Sequence, residues 1–330
     1  MIFRTTVDIQ PSETKITYGD STMFLGSCFA AYIGEQMRFR KMPAMINPSG
    51  TIYNPESILT TINNIISNKR AIIDDLYNFN GVWISFNHYT DFSSENPDKL
   101  LDKINEQNEK AFTFLKNASF LFITFGTARV YRFKKTGALV SNCHKIPNVN
   151  FDSELLLVES IVDRWKPVLD ELSVFNPKLK VIFTISPVRH WKDGAYGNQL
   201  SKSVLFLAVD ELMKYKTNPS YFPAYEIQMD DLRDYRFYAN DMLHPSSSAV
   251  DYIWEKFSEI YFEKSTIELQ LSVQKITKAV EHRIMTDSEI KKKMFAEKIL
   301  KQINDITEKT DLIDFSSEIN YFAALLDNNC

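Results

Sequence analysis

Short apolar runs alternate with longer amphipathic stretches along this chain, and this alternation limits the folds that it can adopt. Four runs are apolar nearly throughout, which is typical of strands buried on both faces of a sheet; they cover residues 22–26, 120–125, 181–185 and 224–229. A fifth, weaker strand is predicted at 42–46. Because these runs alternate with predicted helices, the pattern indicates βαβ units and a parallel sheet.

The stretches between the strands carry apolar residues at helical spacing. They predict helices over residues 30–37, 56–67, 98–116, 153–172 and 200–215. Asn96 and Pro97 precede the third of these, as a capping residue and a first-turn proline do at helix starts. Pro167 lies inside the fourth, so we expect that helix to be kinked or divided there.

The domain organisation follows from where the composition changes. Residues 1–264 show no linker, repeat or low-complexity segment, and they predict one α/β domain. Residues 265–330 mix charged and apolar residues without a single Gly or Pro. They predict a C-terminal helical extension that packs on the core. Dimerisation and a position over the mouth of an active site are alternative roles for it.

The composition is that of a globular protein and excludes several classes of function. With 44% hydrophobic residues, 24% charged residues and a net charge of −4, the chain has no basic surplus for neutralising nucleic-acid phosphates. No apolar run reaches about 18 residues, and the first residues lack the apolar stretch of a secretory signal. We therefore expect neither a membrane span nor export. Three widely spaced cysteines, Cys28, Cys143 and Cys330, do not suggest a disulfide framework and favour a cytoplasmic location.

Two segments carry residues suited to nucleophilic catalysis. Ser27 and Cys28 follow Gly26 at the end of the first strand and precede a predicted helix, which is a turn where α/β enzymes expose a nucleophile. Far downstream, Asp241 and His244 lie three residues apart, so a carboxylate can orient an imidazole. A proline and three serines follow the histidine, which predicts a loop leading into a helix.

Residues 26–30 read GSCFA and resemble the signature of the GSCFA family, a branch of the SGNH/GDSL hydrolase superfamily; the resemblance covers roughly residues 22–262. Asp241 and His244 match the Asp-x-x-His block of that superfamily. The resemblance implies a three-layer, flavodoxin-like α/β fold with a central parallel sheet of strand order 2-1-3-4-5. It also implies a small acylated substrate, such as a glycan.

Two blocks depart from the superfamily pattern. Aligned by Gly26, Ser27 stands where the superfamily has Asp, and Cys28 stands where it has the nucleophilic Ser. Cys28 is therefore the predicted nucleophile, with Ser27 as the alternative. Gly126 and Thr127 follow the central strand at the Gly-x-Asn block, but no Asn follows them to donate to an oxyanion.

The helix after Cys28 predicts how its thiol is activated. The unpaired N–H groups and the partial positive charge of a helix start should bring the pKa of Cys28 below about 7 and can also hold an oxyanion. Gly50 resembles the superfamily glycine whose N–H shares that task. Asn47 opens the same loop, although an Asn before Pro is also a common turn former.

Other polar residues follow strands at the edge where parallel sheets bind ligands. Arg189 and His190 come after the strand at 181–185 and are candidates for recognising an anionic or sugar-bearing substrate. An ion pair between Arg189 and a carboxylate is the alternative. Cys143 and His144 lie in a segment without a superfamily counterpart, so its position relative to the site is left open.

No metal ion or other cofactor is predicted. The five histidines show no His-x-x-x-His spacing, and the cysteines form no Cys-x-x-Cys pair. With nine glycines, the chain contains neither a P-loop nor a dinucleotide fingerprint.

Together, the residues and the resemblance predict a hydrolase that cleaves an acyl ester. Cys28, or else Ser27, attacks the carbonyl carbon, His244 acts as the base, and Asp241 orients the imidazole. An acyltransferase that uses the same acyl-enzyme chemistry is one alternative. A binding module on a degenerate hydrolase fold is another, because the first and third blocks are altered. The oligomeric state is left open.

Overall fold

The computed structural model of the chain describes residues 5–281 and 288–327. Its strands are β1 (Thr22–Gly26), β2 (Ala44–Ile46), β3 (Tyr77–Phe79), β4 (Val82–Ile84), β5 (Ser93–Ser94), β6 (Phe120–Phe125), β7 (Arg129–Phe133), β8 (Leu139–Val140), β9 (Phe151–Leu155), β10 (Lys180–Ile185) and β11 (Ser220–Phe222). Its helices are α1 (Cys28–Phe39), α2 (Pro55–Ile66), α3 (Pro97–Asn117), α4 (Val158–Phe175), α5 (Gly194–Met213), α6 (Ala224–Glu226), α7 (Ser247–Tyr261), α8 (Lys264–Glu281), α9 (Glu289–Thr307) and α10 (Ser316–Asp327). His282 and Cys330 lie outside the described residues.

Five of the strands form one parallel sheet in the order β11-β10-β6-β1-β2. β1 pairs with β2 on one side and with β6 on the other, and β10 joins β6 to β11. Numbered along the chain within this sheet, the order reads 2-1-3-4-5, which confirms the predicted α/β fold and strand order. Because the strands are parallel, the residues that follow β1, β6 and β10 meet at one edge of the sheet.

Helices cover the sheet on both faces, as expected for three layers. On one face, Leu25 and Ile123 belong to a buried apolar cluster that includes residues of α2, α3, α4 and α5. Neighbouring strand residues point to the opposite face, where the rings of Phe24 and Phe122 lie 5.3 Å apart. There α1 passes so close that a Cβ on Gly34 would lie 3.2 Å from the Phe24 ring.

The last strand of the sheet differs from the prediction. The strand that pairs with β10 at the end of the sheet is β11, at residues 220–222. The predicted strand at 224–229 is instead helical and consists of α6 and the π turn after it. Pro223 explains the difference, because it has no N–H to donate to a neighbouring strand. Ala224 and Ile227 are both fully buried, and their separation of three residues suits a helix rather than a strand.

The fourth predicted helix begins later than expected. Residues 153–155 belong to β9, which pairs antiparallel with β7 in a small sheet of order β8-β7-β9. Helix α4 starts at Val158 and continues through Pro167 to Phe175, so the predicted division at the proline is wrong. The other four helices are present, with ends shifted by up to six residues.

The chain divides into two compact units. The first includes residues 21–34 and 44–256 and contains the parallel sheet; the second includes residues 11–20, 35–43 and 257 onward. In the second unit α8, α9 and α10 contact one another, which confirms the predicted helical character of the C-terminal region over its described part. Among the described helices, none has both the length and the apolar composition needed to span a membrane.

Candidate active site

Gly26 shapes the turn after β1. Its φ is 128°, and a Cβ at this position would lie 2.2 Å from the carbonyl oxygen of Thr124 on β6, so only glycine fits there. The N–H of Gly26 donates to Asn47 Oδ1 at 2.9 Å. The close approach of β6 and the hydrogen bond from Asn47 together fix the direction in which the next two residues leave the sheet.

Those two residues, Ser27 and Cys28, have different environments. The Ser27 side chain is buried, and its Oγ accepts a hydrogen bond from the N–H of Phe29 at 3.3 Å, as an N-cap residue does. Cys28 is the first residue of α1, and it is only partly buried. The hydroxyl of Ser27 is thus engaged in capping the helix, whereas the thiol of Cys28 is more accessible.

A cavity of about 180 Å³ lies beside Cys28, at the edge of the sheet where β1, β6 and β10 end. Its walls bring together six of the predicted site residues, namely Ser27, Cys28, Gly126, Arg189, His190 and His244. The remaining lining residues are Tyr53, Ser186, Val188, Trp191 and Lys192. The predicted nucleophile and the predicted base, which are far apart in sequence, therefore border the same space.

Asp241, which binds His244, and three residues of the surrounding turns do not line this cavity. The N–H of Gly50 donates to the carbonyl oxygen of Asn47 at 2.7 Å, so the amide that we expected to bind an oxyanion is already used within its loop. The side-chain oxygen of Asn47 is bound to Gly26. Thr127 is buried, with Oγ1 3.0 Å from Ser201 Oγ. These residues hold the turns around the cavity in place.

Asp241 binds His244 through both the side chain and the backbone. Asp241 Oδ2 lies 2.6 Å from His244 Nδ1, and Oδ1 accepts hydrogen bonds from the N–H groups of Leu243 at 2.9 Å and His244 at 3.0 Å. The N–H groups of His244 and Leu243, and then the imidazole, lower the pKa of the Asp241 carboxyl to about 2. The charged carboxylate fixes Nδ1, which leaves Nε2 as the ring nitrogen for the cavity that His244 lines.

Burial raises the pKa of the Cys28 thiol above its ordinary value. The N–H groups of Phe29 and of Cys28 itself lower it, as does the ammonium of Lys202, but burial outweighs them. The predicted lowering of this pKa below about 7 is therefore wrong. The helix start is present as expected, yet the partly buried thiol remains protonated at neutral pH and needs a base to react.

Arg189 and His190 have different partners at the cavity wall. The guanidinium of Arg189 lies 5.0 Å from the centroid of the Trp191 ring, and within the described chain no carboxylate forms an ion pair with it. His190 Nδ1 lies 3.4 Å from Asp193 Oδ2, and Arg129 Nε lies 3.5 Å from the same oxygen. Burial lowers the pKa of His190, so its imidazole is neutral at neutral pH.

Two models of known protein families match this chain. The model of the GSCFA family matches residues 21–257. The chain belongs to the GSCFA family. A second model, described as the GSCFA domain protein, C-terminal domain, matches residues 273–328. No curated protein matches the chain. In this GSCFA family member, Ser27 and Cys28 of the GSCFA segment both line the cavity.

Lys202 of α5 is a residue of this GSCFA site that the sequence pattern did not single out. Its side chain is fully buried, and Nζ donates to the carbonyl oxygens of Gly126 at 2.8 Å and Ser186 at 2.6 Å. Burial lowers the pKa of Lys202 to about 7, and Cys28 is the neighbour that raises it. A signal was present, because Lys202 lies three residues before Leu205 on the buried stripe of α5, where a lysine is unusual.

The segment that contains Cys143 and His144 belongs to a different region. His144 Nε2 lies 2.8 Å from the carbonyl oxygen of Ser85 and 3.1 Å from that of His88. Neither Cys143 nor His144 lines the cavity beside Cys28. Over residues 5–281 and 288–327, no three His, Cys, Asp or Glu side chains come together in a way that could hold a metal ion.

Proposed function

We propose that this GSCFA protein hydrolyses acyl esters, with Cys28 as the nucleophile, His244 as the general base and Asp241 as the residue that orients the imidazole. One observation carries the proposal: Cys28 and His244 line the same cavity, and Asp241 Oδ2 binds the far ring nitrogen of His244 at 2.6 Å. A nucleophile, a base and a third group that holds the base are the parts of a catalytic triad. The resemblance to SGNH hydrolases supports the same assignment and a small acylated substrate.

The proposed reaction has two halves. In the first, His244 Nε2 accepts the proton of the Cys28 thiol, and the sulfur forms a bond to the carbonyl carbon of the ester. The tetrahedral intermediate collapses, the C–O bond breaks, and the alcohol leaves with the proton from His244. In the second half, His244 takes a proton from water, the hydroxide attacks the thioester, and the carboxylic acid leaves as Cys28 recovers its proton.

The first turn of α1 supplies the amides nearest to the reacting carbonyl. The N–H groups of Cys28 and Phe29 are close enough to the sulfur to lower the pKa of the thiol, and an oxyanion formed beside that sulfur falls within their reach. Other amides around the cavity have partners: those of Gly126 and Thr127 donate to the carbonyl oxygen of Tyr53 at 2.7 and 3.0 Å. The N–H of Phe29 also has a partner, because it donates to Ser27 Oγ at 3.3 Å. We therefore assign the oxyanion to the N–H of Cys28 at the start of α1.

When it is protonated, Lys202 provides a positive charge close enough to lower the pKa of the Cys28 thiol. Its ammonium is fully buried, and the titratable neighbours that affect its pKa are Cys28, which raises it, and Arg189, which lowers it. No carboxylate among the described residues pairs with it. We propose that Lys202 stabilises the thiolate that forms when His244 removes the proton, and that it acts as a positioning residue through its hydrogen bonds to the turns after β6 and β10.

Mass spectrometry after exposure to an activated ester, such as p-nitrophenyl acetate, tests the proposal. We expect an acetyl adduct on Cys28 that is absent in Cys28→Ala and strongly reduced in His244→Ala. Cys143→Ala is the matched control, because Cys143 is also a partly buried free thiol with a pKa raised by burial but does not line the cavity. An adduct lost with Ser27→Ala and kept with Cys28→Ala assigns the nucleophile to Ser27 instead.

Acyl transfer is the second candidate function, and a neighbouring cavity favours it. This second cavity of about 520 Å³ shares Arg189 and Trp191 with the first and is also lined by Asp241, so an acceptor alcohol or amine has space beside the base. Adding candidate acceptors to the acylated protein distinguishes the two functions: faster loss of the adduct with formation of a new ester or amide indicates transfer. A folded protein that forms no adduct with any ester supports a binding module. For each function we propose a cytoplasmic setting, which keeps Cys28 reduced.

A further inference from the structure

The small cavity beside Cys28 is positively charged. Its lining contains the cations of Arg189 and Lys192 and no Asp or Glu, although the whole chain carries a net charge of −4. Asp193, which follows Lys192 in the sequence, already has partners, because its carboxylate lies beside Arg129 and His190. The Asp241 carboxylate also acts on Cys28, whose pKa it raises, but it is hydrogen-bonded to His244. Because the two lining cations outnumber this carboxylate, the cavity favours anions.

Both lining cations lack an anionic partner within the described chain. The Arg189 guanidinium lies over Trp191, and its buried Nε makes no hydrogen bond. The Lys192 ammonium lies 5.0 Å from the centroid of the Tyr131 ring and 3.5 Å from Asn148 Oδ1, both of which are uncharged groups. Aromatic rings hold the two side chains while their N–H donors remain available to a ligand.

The neighbouring cavity shows the contrast. Arg233 lines that cavity, but its guanidinium forms an ion pair with Asp230. Arg189 is the arginine that lines both cavities, and it is the one without a carboxylate. A ligand group placed at the wall common to the two cavities thus meets an uncompensated guanidinium, whose planar donors suit the oxygens of carboxylates and phosphates.

We infer that the acylated substrate carries an anionic group, either a carboxylate or a phosphate, and that Arg189 and Lys192 bind this group beside Cys28. The inference rests on the proposed function, because it assigns the anionic group to a substrate. The anion site itself is defined by the two cations and the cavity. This anionic group takes the place of the carboxylate partner that Arg189 lacks within the described chain. It also orients the ester, because one end is held at Arg189 while the carbonyl carbon lies beside the sulfur.

Two alkylating reagents that differ in charge test the inference without any ester. Iodoacetate transfers a carboxymethyl group and iodoacetamide a carbamoylmethyl group to the thiolate sulfur, each with loss of iodide, so the ratio of their rates at one pH is independent of the thiolate fraction. Peptide mass spectrometry gives the ratio at Cys28, and N-acetylcysteine amide, which carries no carboxylate, gives the reference for a free thiol. We expect the ratio at Cys28 to exceed the reference by about threefold, the effect of one unit charge at about 6 Å in a water-like medium, and to fall with added salt.

Variants identify the residues responsible. Arg189→Gln should remove most of the preference for iodoacetate, Arg189→Lys should restore much of it, and Arg233→Gln, the matched control in the neighbouring cavity, should leave it unchanged. Circular dichroism checks that each variant is folded. A wild-type ratio at or below that of the free thiol overturns the inference, and so does a raised ratio that survives both Arg189→Gln and Lys192→Gln.

Competition by simple anions identifies the chemical class of the group. Acetate and inorganic phosphate are added in turn to the iodoacetate reaction at constant ionic strength. Stronger protection of Cys28 by acetate indicates a carboxylate on the substrate, and stronger protection by phosphate indicates a phosphate; no protection by either overturns the anion site. Because alkylation needs no acyl chemistry, a protein that prefers iodoacetate but never forms an acyl adduct contradicts the proposed hydrolase function and leaves the anion site standing.

Discussion

The Nζ atom of Lys202 lies 2.6 Å from the carbonyl oxygen of Ser186, so a lysine on α5 is bound to the residue that follows β10. The same Nζ donates to Gly126, which follows β6. Two turns that border the candidate cavity are therefore joined by one fully buried ammonium. Burying a charge without an anionic partner costs free energy, which is why burial lowers the pKa of Lys202 to about 7.

Replacing Lys202 by Met should raise the pKa of Cys28 further. Removing a nearby positive charge disfavours the thiolate, so we expect the pH profile of Cys28 alkylation by iodoacetamide to fall roughly tenfold over the acid range in which Lys202, with its pKa of about 7, is charged. Peptide mass spectrometry measures Cys28 and Cys143 in the same sample. The profile of Cys143 should not move, because Lys192 rather than Lys202 is the cation that affects its pKa.

The reciprocal titration keeps this prediction testable if Lys202→Met does not fold. A negative charge at position 28 raises the pKa of Lys202, so Cys28→Asp should raise the pKa of Lys202 above its value of about 7, by linkage. Nuclear magnetic resonance of ¹³C-labelled lysine side chains measures that value. An unmoved Cys28 profile in folded Lys202→Met, or an unmoved Lys202 titration in Cys28→Asp, contradicts the coupling.

The parts of the fold and site that local pattern determines were predictable. Apolar strand runs and helical spacing predicted the parallel sheet, and the family resemblance supplied its strand order. The rule that ligands bind beyond the carboxyl ends of parallel strands brought Cys28, Gly126 and Arg189 to one edge. Because Asp241 and His244 are only three residues apart, one tight turn is enough to bring their side chains into contact. These inferences depend on short stretches of sequence and on general rules of topology.

The parts that depend on distant partners were not predictable. Lys202 lies on the buried stripe of α5, but its partners, the carbonyl oxygens of Gly126 and Ser186, come from the ends of two other strands that no local pattern connects to it. Residues 153–155 read as the start of a helix, and their pairing with β7 decides otherwise. The pKa of Cys28 depends on how deeply the first turn of α1 is buried, which the sequence of that turn does not contain.

Acid should destabilise the protein partly through His88. Burial, and then the charges of His144 and Lys103, lowers the pKa of His88 to about 4, whereas an unfolded histidine titrates near 6.5. Between these values the unfolded state binds more protons, so the free energy of unfolding falls as the pH drops from about 6.5 to 4. Urea unfolding across this range should show a shallower decline in His88→Phe than in wild type, and parallel declines would contradict the assignment.

Alanine substitution at Gly26 should be far more damaging than at Gly137. Both glycines have positive φ, 128° and 72°, but a Cβ on Gly26 would lie 2.2 Å from the carbonyl oxygen of Thr124, whereas nothing lies within 4 Å of one on Gly137. We expect Gly137→Ala to cost about 1 kcal/mol, for the left-handed backbone alone. Gly26→Ala should cost at least about 3 kcal/mol. Urea unfolding measures both, and equal costs would mean that the β1–β6 approach is looser than described.

Asp241→Asn should slow acylation of Cys28 without disturbing the turn. The amide oxygen can still accept from the N–H groups of Leu243 and His244, but the amide NH₂ group turned toward Nδ1 forces the ring proton onto Nε2, where it blocks removal of the thiol proton. We expect the rate of adduct formation with p-nitrophenyl acetate, followed by mass spectrometry, to fall roughly 100-fold. Asp234→Asn is the matched control, because this exposed carboxylate also accepts a nearby backbone N–H, at 2.9 Å, and lines the neighbouring cavity as Asp241 does. Its ion pair is with Arg236 and not with a histidine. A rate for Asp241→Asn within twofold of the control would remove Asp241 from the mechanism and leave His244 to act alone.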